Sequence, residues 1–100
     1  MKCFIAISVI GSMNLASVDL NLLVAFEALL AERNVSRAAQ RVGLAQPSMS
    51  HTLTRLRALF GDELFVRTPQ EMRPTTRALE LAGSIADALE QVRRALEPQI

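Results

Sequence analysis

The fold is decided by residues 36–60, which read SRAAQRVGLAQPSMSHTLTRLRALF. Ser36 can accept a hydrogen bond from an unpaired amide of a first helical turn, so it is predicted to cap a short helix over residues 37–42. Gly43 is expected to end this helix, because glycine adopts the left-handed conformation without steric cost. The sequence therefore predicts a helix of barely two turns followed by a tight glycine turn.

A second helix follows this turn almost at once. Pro47 opens it, since the fixed φ of proline suits a first helical turn, and Gly61 ends it. Ala38 and Ala39 supply the small side chains that let the shorter helix cross its neighbours closely. Together these features predict a helix-turn-helix, although an ordinary three-helix bundle shares them. The residues of the second helix that are expected to face the core are Met49, Leu53, Leu56 and Phe60.

A third helix is predicted upstream, from about Leu20 to Arg33, because apolar residues there recur at helical spacing. Asp19 is a plausible N-cap for it. Asn34 tolerates the left-handed conformation that ends helices, so it is expected to terminate this one.

Downstream of Gly61, residues 64–67 are predicted to form a short strand, residues 68–71 a turn and residues 72–74 the returning strand. This hairpin would be a wing beside the helices. Thr75 or Thr76 then caps a long helix that is expected to run to about Glu97, with Pro98 marking its end. A helix of twenty-odd residues is about 30 Å long.

An apolar stripe runs along this last helix with alternating spacings of four and three residues, the pattern of a coiled-coil seam. In a monomer the apolar side chains of such a stripe would be exposed to solvent. This favours dimerisation, which would cover them. Packing of the stripe back onto the helix predicted from about Leu20 to Arg33 is the competing interpretation. The stripe consists of Ala78, Ala82, Ile85, Leu89, Val92 and Leu96.

Positive charge is concentrated in the middle of the chain. Residues 36–77 hold seven arginines against Asp62, Glu63 and Glu71, an excess of four positive charges in a chain whose formal net charge is only +1. The planar guanidinium suits phosphate oxygens and guanine edges, so a basic block centred on a helix-turn-helix favours nucleic-acid binding. Ion pairing of some of these arginines with Asp62 and Glu63 is the alternative.

Composition excludes several classes of protein. Half of the 100 residues are hydrophobic and 21% are charged, which predicts one packed domain with an extension. The single cysteine, Cys3, cannot close an internal disulfide, and the single histidine, His51, cannot form a His/Cys metal cluster. No apolar run reaches the roughly 20 residues of a membrane-spanning helix, so no membrane partner is expected.

The residues also argue against catalysis. Ser50 and His51 are adjacent on one helix and point in different directions, so they cannot act together as nucleophile and base. The four glycines are widely separated and form no phosphate-binding loop. We therefore expect no enzyme, no cofactor and no metal.

The first 18 residues are expected to be an N-terminal extension that is disordered or precedes a true start at Met13. Residues 1–10 faintly imitate a signal peptide. Asn14, however, stands where a cleavage site needs a small residue.

The stretch from Asp19 to His51, continued by residues 64–67 and 72–75, resembles the DNA-binding domain of LysR-type transcriptional regulators over about residues 19–97. The resemblance implies a mainly α fold: a winged helix-turn-helix of three helices and a short β-hairpin over residues 19–74, followed by a long dimerisation linker helix over residues 75–100. It implies a bacterial, cytoplasmic, nucleoid-associated homodimer that reads an inverted repeat in double-stranded promoter DNA. Family members continue into an effector-binding domain, which these 100 residues lack, so no small-molecule effector is expected for this chain.

The resemblance also assigns roles to individual residues. Readers of bases in the major groove would be Gln46, Pro47, Ser50 and His51. Contacts to the sugar-phosphate backbone would come from Thr52, Thr54 and Arg55, from Ser36 and Arg37 at the start of the preceding helix, and from Arg67 and Arg73 beside the wing.

The sequence departs from the family pattern at two places, the start of the second helix of the helix-turn-helix and the wing tip. One alternative function also stays open. Ala45 stands where the family usually has a capping Ser or Thr, and Gln70-Glu71 replace a basic residue and glycine at the wing tip, where Glu71 would repel phosphate. The alternative is a protein-interaction module whose linker helix forms heterodimers with full-length relatives.

Overall fold

The computed structural model describes residues 14–98. The predictions that concern Cys3, the signal-like stretch and a start at Met13 lie outside these residues. A short 3-10 helix, Leu15–Ser17, precedes the main body, and the Asn14 side chain caps it by accepting a hydrogen bond from the Ala16 amide. Part of the predicted extension therefore has regular structure.

Four α-helices and two β-strands follow within the described residues, in the order helix, helix, helix, hairpin and helix. The helices are α1 (Asn21–Glu32), α2 (Val35–Val42), α3 (Gln46–Phe60) and α4 (Thr76–Leu96), and the strands are β1 (Phe65–Arg67) and β2 (Met72–Pro74). The strands pair antiparallel, with Val66 opposite Arg73 and Arg67 opposite Met72.

The junction between α1 and α2 differs from the prediction. Arg33, with φ of 52°, takes the left-handed conformation that ends α1, whereas Asn34 is extended. The Asn34 side chain accepts a hydrogen bond from the Arg37 amide at 2.8 Å and so caps α2. The prediction that Ser36 caps this helix is wrong, because an extended Asn34 already supplies the cap two residues earlier and Ser36 lies inside the helix.

The other helix boundaries follow the local signals closely. Asp19 accepts a hydrogen bond from the Asn21 amide, as expected of a capping carboxylate. Gly43 and Gly61 have φ of 77° and 63° and end α2 and α3. Thr75 caps α4 by accepting from the Ala78 amide. Leu64, predicted to begin the first strand, has φ of 63°, so β1 begins one residue later.

The core lies where α1, α2 and α3 meet and is closed by the hairpin and the first half of α4. Ala38 and Ala39 are buried at the helix crossing, as predicted. Phe26 and Phe65 pack with ring centroids 5.6 Å apart, which joins α1 to the hairpin. The largest fully buried side chains are Phe26, Phe65, Leu29, Met49, Leu56 and Leu64.

The apolar stripe of α4 is divided between the core and the surface. Ala78 and Ile85 are buried at 0% and 7% exposure, so the expectation that the whole stripe is wet in a monomer is wrong for them. The reason is that α1 packs against α4, as does strand β2, and these contacts cover this face. Ala82 and Leu89 are half-buried, while Val92 and Leu96 are 52% and 77% exposed.

Candidate nucleic-acid interface

The outer face of α3 presents a row of polar side chains to solvent. Gln46, Pro47, Ser50, His51 and Thr54 are all exposed. The buried positions Met49, Leu53 and Leu56 lie on the opposite face and hold the helix against the core. A helix fixed on one side and polar on the other can enter the major groove of DNA.

Thr52 and Arg55 lie nearer the body of the protein. Thr52 is half-buried, and the Arg55 guanidinium pairs with Asp19 at 3.3 Å. Thr54 instead donates its hydroxyl hydrogen to the Ser50 carbonyl of its own helix at 3.3 Å. The resemblance assigned these three residues to the DNA backbone. Their side chains are less free to contact DNA than those in the first turn of α3.

The first turn of α3 carries unpaired backbone donors. Ala45 has an extended backbone and makes no side-chain hydrogen bond to the helix, as the sequence predicts for a position that lacks Ser or Thr. Amides at an uncapped helix N-terminus attract anions. Ser48 is exposed in this turn and is absent from the sequence-based assignment, although its place between Pro47 and Met49 could have indicated it.

The seven arginines of the basic block separate into two groups. Four are held within the protein. Arg41 pairs with Glu32 at 3.1 Å and Arg77 with Glu80 at 3.7 Å, while Arg55 pairs with Asp19. Arg57 donates from Nε to the Glu63 carbonyl and from Nη2 to the Phe65 carbonyl, both at 2.8 Å, and so ties α3 to the hairpin. Intramolecular pairing therefore accounts for more of the block than expected, with partners other than the carboxylates of Asp62 and Glu63.

The other three arginines are Arg37, Arg67 and Arg73. All are exposed, and none forms an ion pair within residues 14–98. Arg37 lies on the first turn of α2. Arg67 and Arg73 lie on the wing, and the strand register places them on opposite faces of the hairpin, because Arg73 is directly opposite Val66 and successive residues alternate. Uncompensated positive charge thus stands on the first turn of α2 and on both faces of the hairpin.

Two acidic residues near this surface have partners within the protein. Glu71 at the wing tip lies 3.8 Å from the Arg33 guanidinium, and the adjacent Met72 amide donates to the Arg33 carbonyl at 2.9 Å. The expected repulsion of phosphate by Glu71 is therefore reduced. The pKa of Asp62 is lowered, first by the hydrogen bond from the Leu64 amide and then by the one from the Thr75 hydroxyl.

Within the described residues, no group of His, Cys, Asp and Glu side chains could hold a metal ion. In the same part of the chain, no helix has the length and apolar character needed to cross a bilayer.

The three packed helices, the antiparallel hairpin and the polar exposed face of α3 define a winged helix-turn-helix protein of the DNA-binding class. The family model for bacterial regulatory helix-turn-helix proteins of the lysR family matches residues 20–79. The chain belongs to this family, as its resemblance to LysR-type regulators predicted.

Curated relatives are named as transcriptional regulators. The chain is 46% identical over 82 residues to the HTH-type transcriptional regulator LeuO of Escherichia coli strain K12, which covers 82% of this chain and 26% of LeuO. It is 52% identical over 80 residues to the HTH-type transcriptional regulator SyrM of Rhizobium etli, which covers 80% of this chain and 24% of SyrM. The chain thus spans about a quarter of the length of these relatives.

Solved structures share the fold. A probable transcriptional regulator from Pseudomonas aeruginosa superposes with a TM-score of 0.80 at 42% identity, over 86% of this chain and 30% of that one. The BenM DNA-binding domain in a complex with benA site 1 DNA superposes with a TM-score of 0.72 at 23% identity, over 79% of this chain and 89% of that one. The second likeness concerns the fold alone.

Proposed function

We propose that this chain binds double-stranded promoter DNA in a sequence-specific manner as a homodimer. The proposal is carried by the exposed polar first turn of α3, together with the exposed arginines Arg37 on α2 and Arg67 and Arg73 on the hairpin, which form no ion pair within the described residues. In this arrangement α3 lies in the major groove and the wing approaches the adjacent backbone or minor groove.

Base reading belongs to the exposed residues Gln46, Pro47, Ser50 and His51. The Gln46 amide can both donate to and accept from an adenine edge, Ser50 is short enough to reach a base or a phosphate, and Pro47 can contact a thymine methyl. His51 adds specificity but little attraction to phosphate when it is neutral. Arg37 and the wing arginines contact phosphate and fix the register of the helix on the duplex.

Self-association uses the part of the α4 stripe that α1 leaves uncovered. Val92 and Leu96 continue the stripe beyond the core and are exposed, and Ala82 and Leu89, earlier on the same stripe, are half-buried. A second copy of α4 would cover these side chains. Two copies related by a two-fold axis would present two α3 helices, so the DNA site is expected to be an inverted repeat.

Selection of bound fragments from random double-stranded DNA tests the proposal. A symmetric motif is expected, and Gln46→Ala should weaken discrimination at one base pair of each half-site by about 1 to 3 kcal/mol. Gln40→Ala is a matched control, because Gln40 is an exposed glutamine of the preceding helix without an assigned role. Equal loss of affinity for all DNA sequences in Gln46→Ala would contradict its role as a base reader.

A second function is supported by the exposed apolar side chains Val92 and Leu96 at the end of α4. The chain would capture a full-length relative through the linker helix and form a heterodimer. Mixing separates the two functions: a chain that shifts no promoter fragment alone, yet abolishes binding by a full-length relative, acts as the interaction module. Both proposed functions are binding functions, without catalysis or a cofactor. For either one, we expect the protein to act at chromosomal DNA in the cytoplasm.

A further inference from the structure

A hydrogen bond joins the two helices of the helix-turn-helix at the candidate interface. The Ser36 hydroxyl on α2 donates to Oε1 of Gln46, the first residue of α3, at 3.1 Å. Both side chains are exposed. Among residues 14–98 this is the one hydrogen bond between two uncharged side chains, since every other side-chain pair includes an arginine or a carboxylate.

Ser36 holds its hydroxyl on a rigid support. The Asn34 side chain caps the first turn of α2, and the Ala38 amide donates to the Asn34 carbonyl at 2.9 Å. Serine has a single side-chain torsion between its backbone and the hydroxyl. Glutamine has three torsions, and an unrestrained exposed glutamine loses this freedom only when it binds, at a cost in affinity.

The direction of the bond decides which part of Gln46 is left for DNA. A glutamine amide has one oxygen with two lone pairs and one nitrogen with two donor hydrogens. Because Oε1 accepts the Ser36 hydroxyl hydrogen, the Nε2 group of the same amide is not engaged by Ser36. Both of its hydrogens and one oxygen lone pair remain unused within the described residues.

We propose that Ser36 is a positioning residue. It orients the Gln46 side-chain amide so that the NH2 group of Gln46 faces the base edge. This inference rests on the function proposed above. Ser36 then determines specificity without touching a base, and Gln46 selects base edges that accept hydrogen bonds: O6 and N7 of guanine, N7 of adenine and O4 of thymine.

The first experiment needs no DNA. In the free protein, the side-chain amide resonances of Gln46 are followed by NMR relaxation in the unchanged chain, in Ser36→Ala and in Ser36→Thr. An ordered amide is expected in the unchanged chain and in Ser36→Thr, which keeps the hydroxyl. A disordered amide is expected in Ser36→Ala. Equal order in all three would overturn the proposal.

The second experiment measures base preference with the DNA site obtained by selection. Ser36→Ala should reduce discrimination at the base pair read by Gln46 by about 2- to 12-fold, the effect of one immobilised flexible side chain. Discrimination at the other base pairs should stay unchanged. Ser36→Thr should keep it throughout, and Ser84→Ala, at an exposed serine of α4, is the control for removing a hydroxyl.

A double-mutant cycle completes the test. If Ser36 acts through Gln46, the loss of discrimination in Ser36→Ala, Gln46→Ala should equal that of Gln46→Ala alone. Additive losses, or a uniform loss on all sequences in Ser36→Ala, would overturn the positioning role. If the unchanged chain shows no sequence preference at all, the proposed function fails as well, so the two failures are distinguishable.

Discussion

Arg55 of α3 and Asp19, at the start of the fold, form an ion pair with 3.3 Å between Nη1 and Oδ2. The family resemblance assigns Arg55 to the DNA backbone. In the structure its guanidinium is instead paired within the protein. The same carboxylate accepts the Asn21 amide, so Asp19 links the beginning of α1 to the middle of α3.

This link predicts a pH dependence of stability. The pKa of Asp19 lies below its ordinary value of 3.8, first because the carboxylate accepts the Asn21 amide hydrogen and then because of the charge of Arg55. A carboxylate whose pKa is lowered by folding stabilises the protein above its unfolded pKa, and this contribution is lost as the pH falls through the lowered value. Asp19→Asn should therefore lower the melting temperature at pH 7, and the difference should shrink as the pH falls below about 4.

Thermal melts from pH 7 down to pH 2 measure this effect. A surface substitution at a residue without partners is expected to change the free energy of unfolding by no more than about 0.5 kcal/mol. Asp87→Asn is the control, because Asp87 is exposed on α4 and forms no ion pair within the described residues. An equal effect of both substitutions at pH 7 would contradict the role given to Asp19.

Arg37 and Arg41 lie one turn apart on α2 and should differ in their effect on DNA binding. Arg41 is paired with Glu32, whereas Arg37 has no ion-pair partner within residues 14–98. Each phosphate contact contributes about 0.9 to the slope of log affinity against log salt. In a dimer, Arg37→Ala should therefore reduce the slope by about 1.8, and Arg41→Ala should change it little.

Titration of a duplex at several salt concentrations gives these slopes. Three free arginines per protomer predict a slope of about −5 for the unchanged dimer. Equal slopes for Arg37→Ala and Arg41→Ala would show that pairing within the protein does not decide which arginines contact phosphate.

Arg57 and Arg73 should separate stability from binding. Arg57 donates to two backbone carbonyls between α3 and the hairpin, so Arg57→Ala leaves both acceptors unpaired and should cost about 1 to 3 kcal/mol of unfolding free energy. Arg73 is exposed and makes no ion pair in the described part, so Arg73→Ala should stay within about 0.5 kcal/mol while weakening DNA binding. Urea unfolding and duplex titration of both variants check the pair, and a stability loss in Arg73→Ala would refute the distinction.

The two ends of the α4 stripe should also behave differently. Ile85→Ala empties a buried position and should cost about 2 to 5 kcal/mol of unfolding free energy. Leu96→Asp places a charge on a side chain that is 77% exposed, so it should leave the fold intact but weaken self-association. Sedimentation equilibrium of Leu96→Asp against the unchanged chain measures this, and an undiminished dimer would exclude this end of α4 from the interface.

Most of the fold can be predicted from the sequence, because its signals are local. Gly43 and Gly61 end helices at the positions predicted, and Thr75 begins one, since caps and left-handed residues act within a single turn. The N-cap of α2 could not be assigned in this way. Asn34 and Ser36 are both capping residues, and only the backbone shows that Arg33 takes the left-handed conformation and leaves Asn34 extended.

The candidate site is predicted less completely. The exposure of the first turn of α3 can be predicted from its helical period. Whether each arginine is paired within the protein or free cannot be predicted in this way. Arg57 looks like any other arginine of the basic block in the sequence, yet its guanidinium is bound to backbone carbonyls of the segment that follows.

The sequence by itself determined the order of helices and strands, the helix-turn-helix and the family, because these depend on residue spacing and short motifs. Only the tertiary structure decided which charges remain free and how much of the α4 stripe is covered. Arg55 and Asp19 are 36 residues apart, and Arg93 reaches Glu27 across 66. Contacts over such distances arise from the way α1 packs against α3 and α4, and no local pattern in the chain specifies them.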